Sequence, residues 1–284
     1  MNLAQQIING LVLGSGYALI AIGWTVLLGA ARLVNFAHGQ LYMLGAFLAW
    51  AAMAKLGVNY FVAVPLAVLV LGLLGVVLQA MMLPLVMQQN LTSLMIVTLG
   101  FGYVITGGGA RLFGGDPERF VSPLQEASIR FGDIWFTWQD VLTLAGTLVL
   151  FGALWLVLNR TRLGALVRAV AEDPQLAQLF GLDAARVYIG VFVFECAAVA
   201  LAAGLVAPRS PILTSMGFDE VILTFVVVVL GGIGSVGGSL LAGFGLGMFT
   251  ALFGALVSPA YTTAAAFLLL LVVLVARPRG LAAR

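Results

Sequence analysis

Nine apolar stretches, separated by very few charges, decide what this chain can become. They cover residues 3–30, 41–54, 58–87, 91–112, 138–158, 187–207, 221–234, 240–257 and 260–276. A helix needs roughly 20 apolar residues to cross a hydrocarbon core about 30 Å thick, and most of the stretches approach or exceed that length. Only 8% of the 284 residues are charged and 62% are hydrophobic, whereas a soluble domain carries about a quarter charged residues. The pattern predicts an all-α, polytopic membrane protein, one domain over residues 1–284, with about eight transmembrane helices plus broken or re-entrant segments. The stretches 41–54 and 221–234 are short enough to be half-helices or re-entrant pieces. Such broken backbone is tolerated at membrane depth only where protein or a water-filled cavity surrounds it.

Composition also excludes several functions. A net charge of +2 without a basic cluster argues against nucleic acid as a partner. Cys196 is the only cysteine and His38 the only histidine, so an intrachain disulfide, a thiolate metal cluster and a multi-histidine metal site are all excluded. No cofactor is expected. The only lysine, Lys55, lies outside any phosphate-binding motif, so the chain is not itself a P-loop ATPase. Residues 1–10 lack the positive start of a cleaved signal peptide, and the first span is expected to be retained.

Charge concentrates at 159–187, which holds Arg160, Arg162, Arg168, Arg186, Glu172, Asp173 and Asp183. Asp173 is a good helix N-cap, and Pro174 suits the first helical position, where its missing N–H costs nothing. A short helix over 175–180 follows, and Gly181 is suited to a left-handed stop. Such a helix on a membrane surface has the character of a handle for a soluble partner. If this hairpin and the tail 277–284 are cytoplasmic, that face holds eight basic residues with Arg32, against five on the other. The positive-inside rule agrees with that orientation. Residues 113–137 form the longest outer segment, with Trp135 and Trp138 at its membrane interface.

Three polar or glycine-rich features interrupt the spans. Residues 231–239 (GGIGSVGGS) either let helices approach closely or unwind beside a path, where exposed backbone can meet a polar solute. Asn35, His38 and Gln40 form a dense polar group, His38 reading either as an anchor at the membrane–water interface or as part of a tie between two helix ends. Because unsatisfied backbone needs shelter, the two breaks are expected near one another or near a central pathway. Glu195 lies about two turns inside a span with no evident basic partner, as a path residue or as a buried carboxyl satisfied by a neighbouring helix.

Taken together, the stretches 10–19 (GLVLGSGYAL), 33–40 (LVNFAHGQ), 168–173 (RAVAED) with Ala177 and Gly181, and 230–235 (LGGIGS) resemble the LivH-type permease of branched-chain amino acid ABC transporters. The resemblance implies a multi-pass subunit of the bacterial inner membrane, paired with a LivM-like second permease. It implies leucine, isoleucine and valine as substrates, delivered by a periplasmic substrate-binding protein. Two cytoplasmic ABC ATPase subunits would dock on 168–181, giving Arg168, Glu172, Asp173, Pro174, Ala177 and Gly181 a coupling role. Asn35, His38, Gln40, Glu195, Gly232, Gly234 and Ser235 are the candidates for the translocation path. Two departures from the family stand out: a carboxyl at Glu195, and the triplet Gly107-Gly108-Gly109, which predicts a less regular fourth span. The other readings are a permease for urea, short amides or sugars, an ion-coupled secondary transporter, and an intramembrane enzyme.

Overall fold

The computed structural model describes residues 3–88, 90–277 and 280–281. In chain order the helices are α1 (Leu3–Ala31), α2 (His38–Leu56), α3 (Tyr60–Met87), α4 (Leu91–Phe113), α5 (Trp138–Arg160), α6 (Arg162–Glu172), α7 (Pro174–Leu179), α8 (Ala184–Val206), α9 (Met216–Gly231), α10 (Val236–Leu256) and α11 (Thr262–Ala276). A small antiparallel hairpin, β1 (Ser128–Phe131) and β2 (Ile134–Thr137), stands in the long loop before α5, an addition to the all-α expectation. Among the described residues seven helices are long and apolar enough to cross a membrane: α1, α3, α4, α5, α8, α10 and, with its preceding turn, α11. Of the other four, α2 and α9 take in the stretch 41–54 and most of the stretch 221–234, the two that looked like half-helices.

Small residues set how these helices meet. Gly10, Gly14 and Ala18 of α1 lie against Ala251, Phe244 and Gly243 of α10; a Cβ on Gly14 would stand 2.7 Å from the Phe244 Cα. Between membrane helices, where burial of apolar surface gives no drive, such close approach is the main source of attraction. On α8, Cys196 receives Gly75 of α3, Ala200 receives Gly45 of α2, and the Glu195 backbone receives Gly23 of α1. The expected irregularity of the fourth span is absent, and α4 runs unbroken through its glycine triplet. Gly107 and Gly108 face open space, while Gly109 makes room for the Met43 side chain.

The contacts repeat themselves in a pattern that the sequence does not show. Helix α1 lies along α10 as α8 lies along α3, and α2 packs on α8 as α9 packs on α1. Likewise α2 meets α3 as α9 meets α10, and α4 covers α2 as α11 covers α9. The quartets α1–α4 and α8–α11 therefore share one arrangement. α5 carries the chain across once more between them, so the second quartet runs in the opposite sense, the inverted repeat of many transporter folds.

The two faces of the bundle are distinct. Gln5 exchanges hydrogen bonds with the Trp135 backbone, which places the start of α1 beside the β-hairpin. Arg209 pairs with Asp140 at 3.1 Å on that side. At the far end of α1, Arg32 neighbours Val170 and Pro174. The tail beyond Arg277 falls largely outside the described residues, but Gly280 reaches Gly232 on the α6–α7 side.

Candidate functional site

Helix α1 is a ruler for depth. Ile20 lies about 25 Å along the axis from Leu3 and about 16 Å from Ala31. After Ala31 the chain turns back with Arg32, the one non-glycine residue of positive φ (52°) among the described residues, and runs without helical structure to Ala37. Helix α2 therefore begins inside the bundle: His38 Nε2 is 3.0 Å from the Ile20 carbonyl oxygen.

His38 is not an interfacial anchor. It is fully buried, its ring stacks on Trp24 at 5.2 Å, and its Nδ1 lies 2.9 Å from Oε1 of Glu195. Glu195 is the twelfth of the 23 residues of α8, mid-span rather than two turns in, and it does have an intramembrane partner. The same Oε1 accepts from Asn35 Nδ2 at 3.0 Å. Asn35 Oδ1 in turn accepts from the Ala37 N–H at 3.0 Å, which fixes the way its amide points. Because a carbonyl can only accept, His38 Nε2 carries a hydrogen, and the Nδ1–Oε1 contact holds a single shared proton. The result is a joint that ties the start of α2 to α1 and α8. Glu195 Oε2, Trp24 Nε1 and Gln40 Oε1 are buried around it without a protein partner.

The second break is elsewhere. α9 stops at Gly231, Gly232 and Gly234 take positive φ (93° and 79°), and Ser235 caps α10 by accepting from the Gly238 N–H at 3.1 Å. Gly234 rests on Gly29, about 13 Å further along α1 than Ile20. The Gly232–Gly234 turn thus sits at a different depth from the His38 joint, while Ser239 of the same break reaches back to within 2.7 Å of Thr25 Oγ1, one residue from the Trp24 that stacks on His38. Gly234 and Ser235 instead share a cavity of about 420 Å³ with Gly29, Trp155, Arg168 and Ala171, next to the charged hairpin.

In that hairpin Asp173 Oδ1 accepts from the Gln175 and Leu176 N–H groups, both at 2.9 Å, and Gly181 has φ 78°. Pro174 is the first residue of α7, Ala177 its buried contact, and Arg168 donates to the Leu158 carbonyl. Glu172, Leu176, Leu179 and Phe180 are exposed. The preceding helix α6, with Gly164 and Val170 buried, was not anticipated; Thr161, which caps it, was the signal.

Sequence reasoning also missed Asp219 and Glu220. Gly39 packs directly on Gly217 at the start of α9, so both acids stand close to the level of His38, well inside the membrane. Both acids interrupt the apolar run, so a reading by hydropathy starts the span after them.

A family described as the branched-chain amino acid transport system permease component matches residues 6–275. The high-affinity branched-chain amino acid permease BraD of Pseudomonas aeruginosa is 31% identical, covering 99% of this chain and 95% of its own length. LivH of Escherichia coli K12, of the same description, is 32% identical over 99% and 95%. LivM of Salmonella typhimurium matches at 27% over 77% of this chain and 57% of its own length.

Proposed function

The chain belongs to the branched-chain amino acid transport system permease family, and we propose that it is one of two permease subunits of an ATP-driven importer for leucine, isoleucine and valine in the bacterial inner membrane. The α6–α7 side is the cytoplasmic one. One of two ATPase subunits grips α7 there, a LivM-like permease completes the membrane unit, and a periplasmic binding protein delivers the amino acid on the β-hairpin side.

One observation carries the coupling role. A six-residue helix is too short to persist by itself, yet α7 is capped at its start by Asp173 and followed by Gly181 in a left-handed conformation. Its outer surface presents Leu176, Leu179 and Phe180, 51%, 84% and 78% exposed, between the arginines of the hairpin. Apolar side chains held out on a rigid, charged rim fit a groove in a soluble motor. Nothing in the chain supplies an ATP site, so the energy arrives through this contact.

The path runs past the joint of Asn35, His38, Gln40 and Glu195 and leaves beside Gly232, Gly234 and Ser235, where Arg168 sits at the cavity. Mixed apolar and mildly polar walls suit a zwitterion with an aliphatic side chain, its charged ends meeting backbone dipoles. Phe180→Asp tests the coupling: the permease should accumulate normally, while the ATPases no longer co-purify and uptake falls to background. A cysteine placed at Gln175 that labels from the periplasm would refute the orientation and the docking together.

A further inference from the structure

We propose that Asp219 faces the translocation path at mid-membrane depth and holds the ammonium group of the amino acid in transit. This deepens the importer reading and rests on it.

Helix α9 shows one exposed stripe, formed by Ser215, Phe218, Asp219, Ile222 and Phe225. These positions recur every three or four residues, so they share a face. The start of that face is fixed in depth by Gly39 on Gly217, one residue from the His38 contact with Ile20. An acidic side chain at that level is too costly to rest against lipid tails and faces water, a cavity or a partner. Asp219 makes no ion pair among the described residues. Arg209, the basic group at the near end of the loop leading into α9, is already engaged by Asp140.

The surroundings choose the ligand. Phe218, the neighbour of Asp219 on the stripe, lies 6.1 Å from the exposed ring of Tyr103 on α4. Aromatic faces beside a carboxyl group attract a compact cation, and the same rings give an isobutyl or isopropyl side chain an apolar wall. Glu220, half-buried on the next position, places a second carboxyl group behind Asp219. An α-amino acid presents that cation and that side chain on neighbouring atoms. A carboxylate solute without the amine does not.

The test uses the full importer, with both permeases, both ATPases and the binding protein, in proteoliposomes. Asp219→Asn should lower leucine uptake about ten-fold or more, the loss expected of one charge-assisted hydrogen bond, while ATPase stimulation by leucine-loaded binding protein is retained. Asp219→Glu should restore much of the uptake. Full-rate import by the Asn variant overturns the inference, as does failure of both variants to accumulate in the membrane. Loss of the second permease on purification also overturns it, reassigning the stripe to the subunit interface. A wild-type importer that carries no branched-chain amino acid refutes the importer reading instead.

Discussion

Replacing Glu195 by Gln looks conservative, yet the hydrogen-bond count at the joint predicts otherwise. In the native protein Oε1 takes part in two contacts at once, with His38 Nδ1 at 2.9 Å and Asn35 Nδ2 at 3.0 Å. A carboxylate oxygen accepts both; a protonated one donates to the ring and still accepts from the amide. Glutamine can do neither job fully. Its carbonyl accepts from Asn35 but faces the lone pair of a neutral Nδ1, and its NH2 serves the ring but opposes the Asn35 donor. Asn35 cannot turn to help, because its oxygen is held by Ala37. One buried group is left unpaired either way, at about 1–3 kcal/mol. For a chain of this size that lowers the melting temperature by about 2–10 °C. The assay is thermal unfolding of the purified importer in detergent, with leucine uptake measured at matched permease amounts. Uptake per folded molecule should survive. Wild-type melting would refute the joint as described, and lost uptake with unchanged melting would move Glu195 from positioning to a part in the transport cycle.

Gly39→Ala places a methyl group into the Gly217 carbonyl, where neither backbone can yield cheaply. It should cost about 3 kcal/mol or more and reduce membrane accumulation sharply, seen by quantitative blotting. Gly107→Ala is the contrasting case: the site is open and helical, so the change should stabilise α4 by about 0.5–1 kcal/mol, read as a small rise in melting temperature with uptake unchanged.

What the sequence discloses depends on how far apart the cooperating residues are. The cap of α7 was legible because Asp173, Pro174 and Gly181 act on backbone within a turn or two of themselves, and the break at Gly232–Gly234 was legible for the same reason. The His38–Glu195 contact spans 157 positions, and no local pattern announces it, so Glu195 looked isolated and His38 looked peripheral. α9 was shortened because Asp219 and Glu220 interrupt the apolar run, although they are the residues that give its buried start chemical interest. The inverted repeat was invisible for another reason: it resides in which helices touch, and the two quartets fill those contacts with different side chains.

That duplication has an energetic consequence. For two identical halves, the outward-open and inward-open forms of a permease would be images of each other and equal in free energy. Any bias between them then comes from side chains that one half has and the other lacks. Here the imbalance is large. α2 is fastened to α8 by an ionisable pair, whereas its counterpart α9 touches α1 through the rings of Phe225 and Trp24. The chain is thus built as a stiff arm and a loose arm. With such an imbalance, the shape that leaves the stiff arm undisturbed is expected to be the more populated one, and whatever drives the cycle has to stabilise the other.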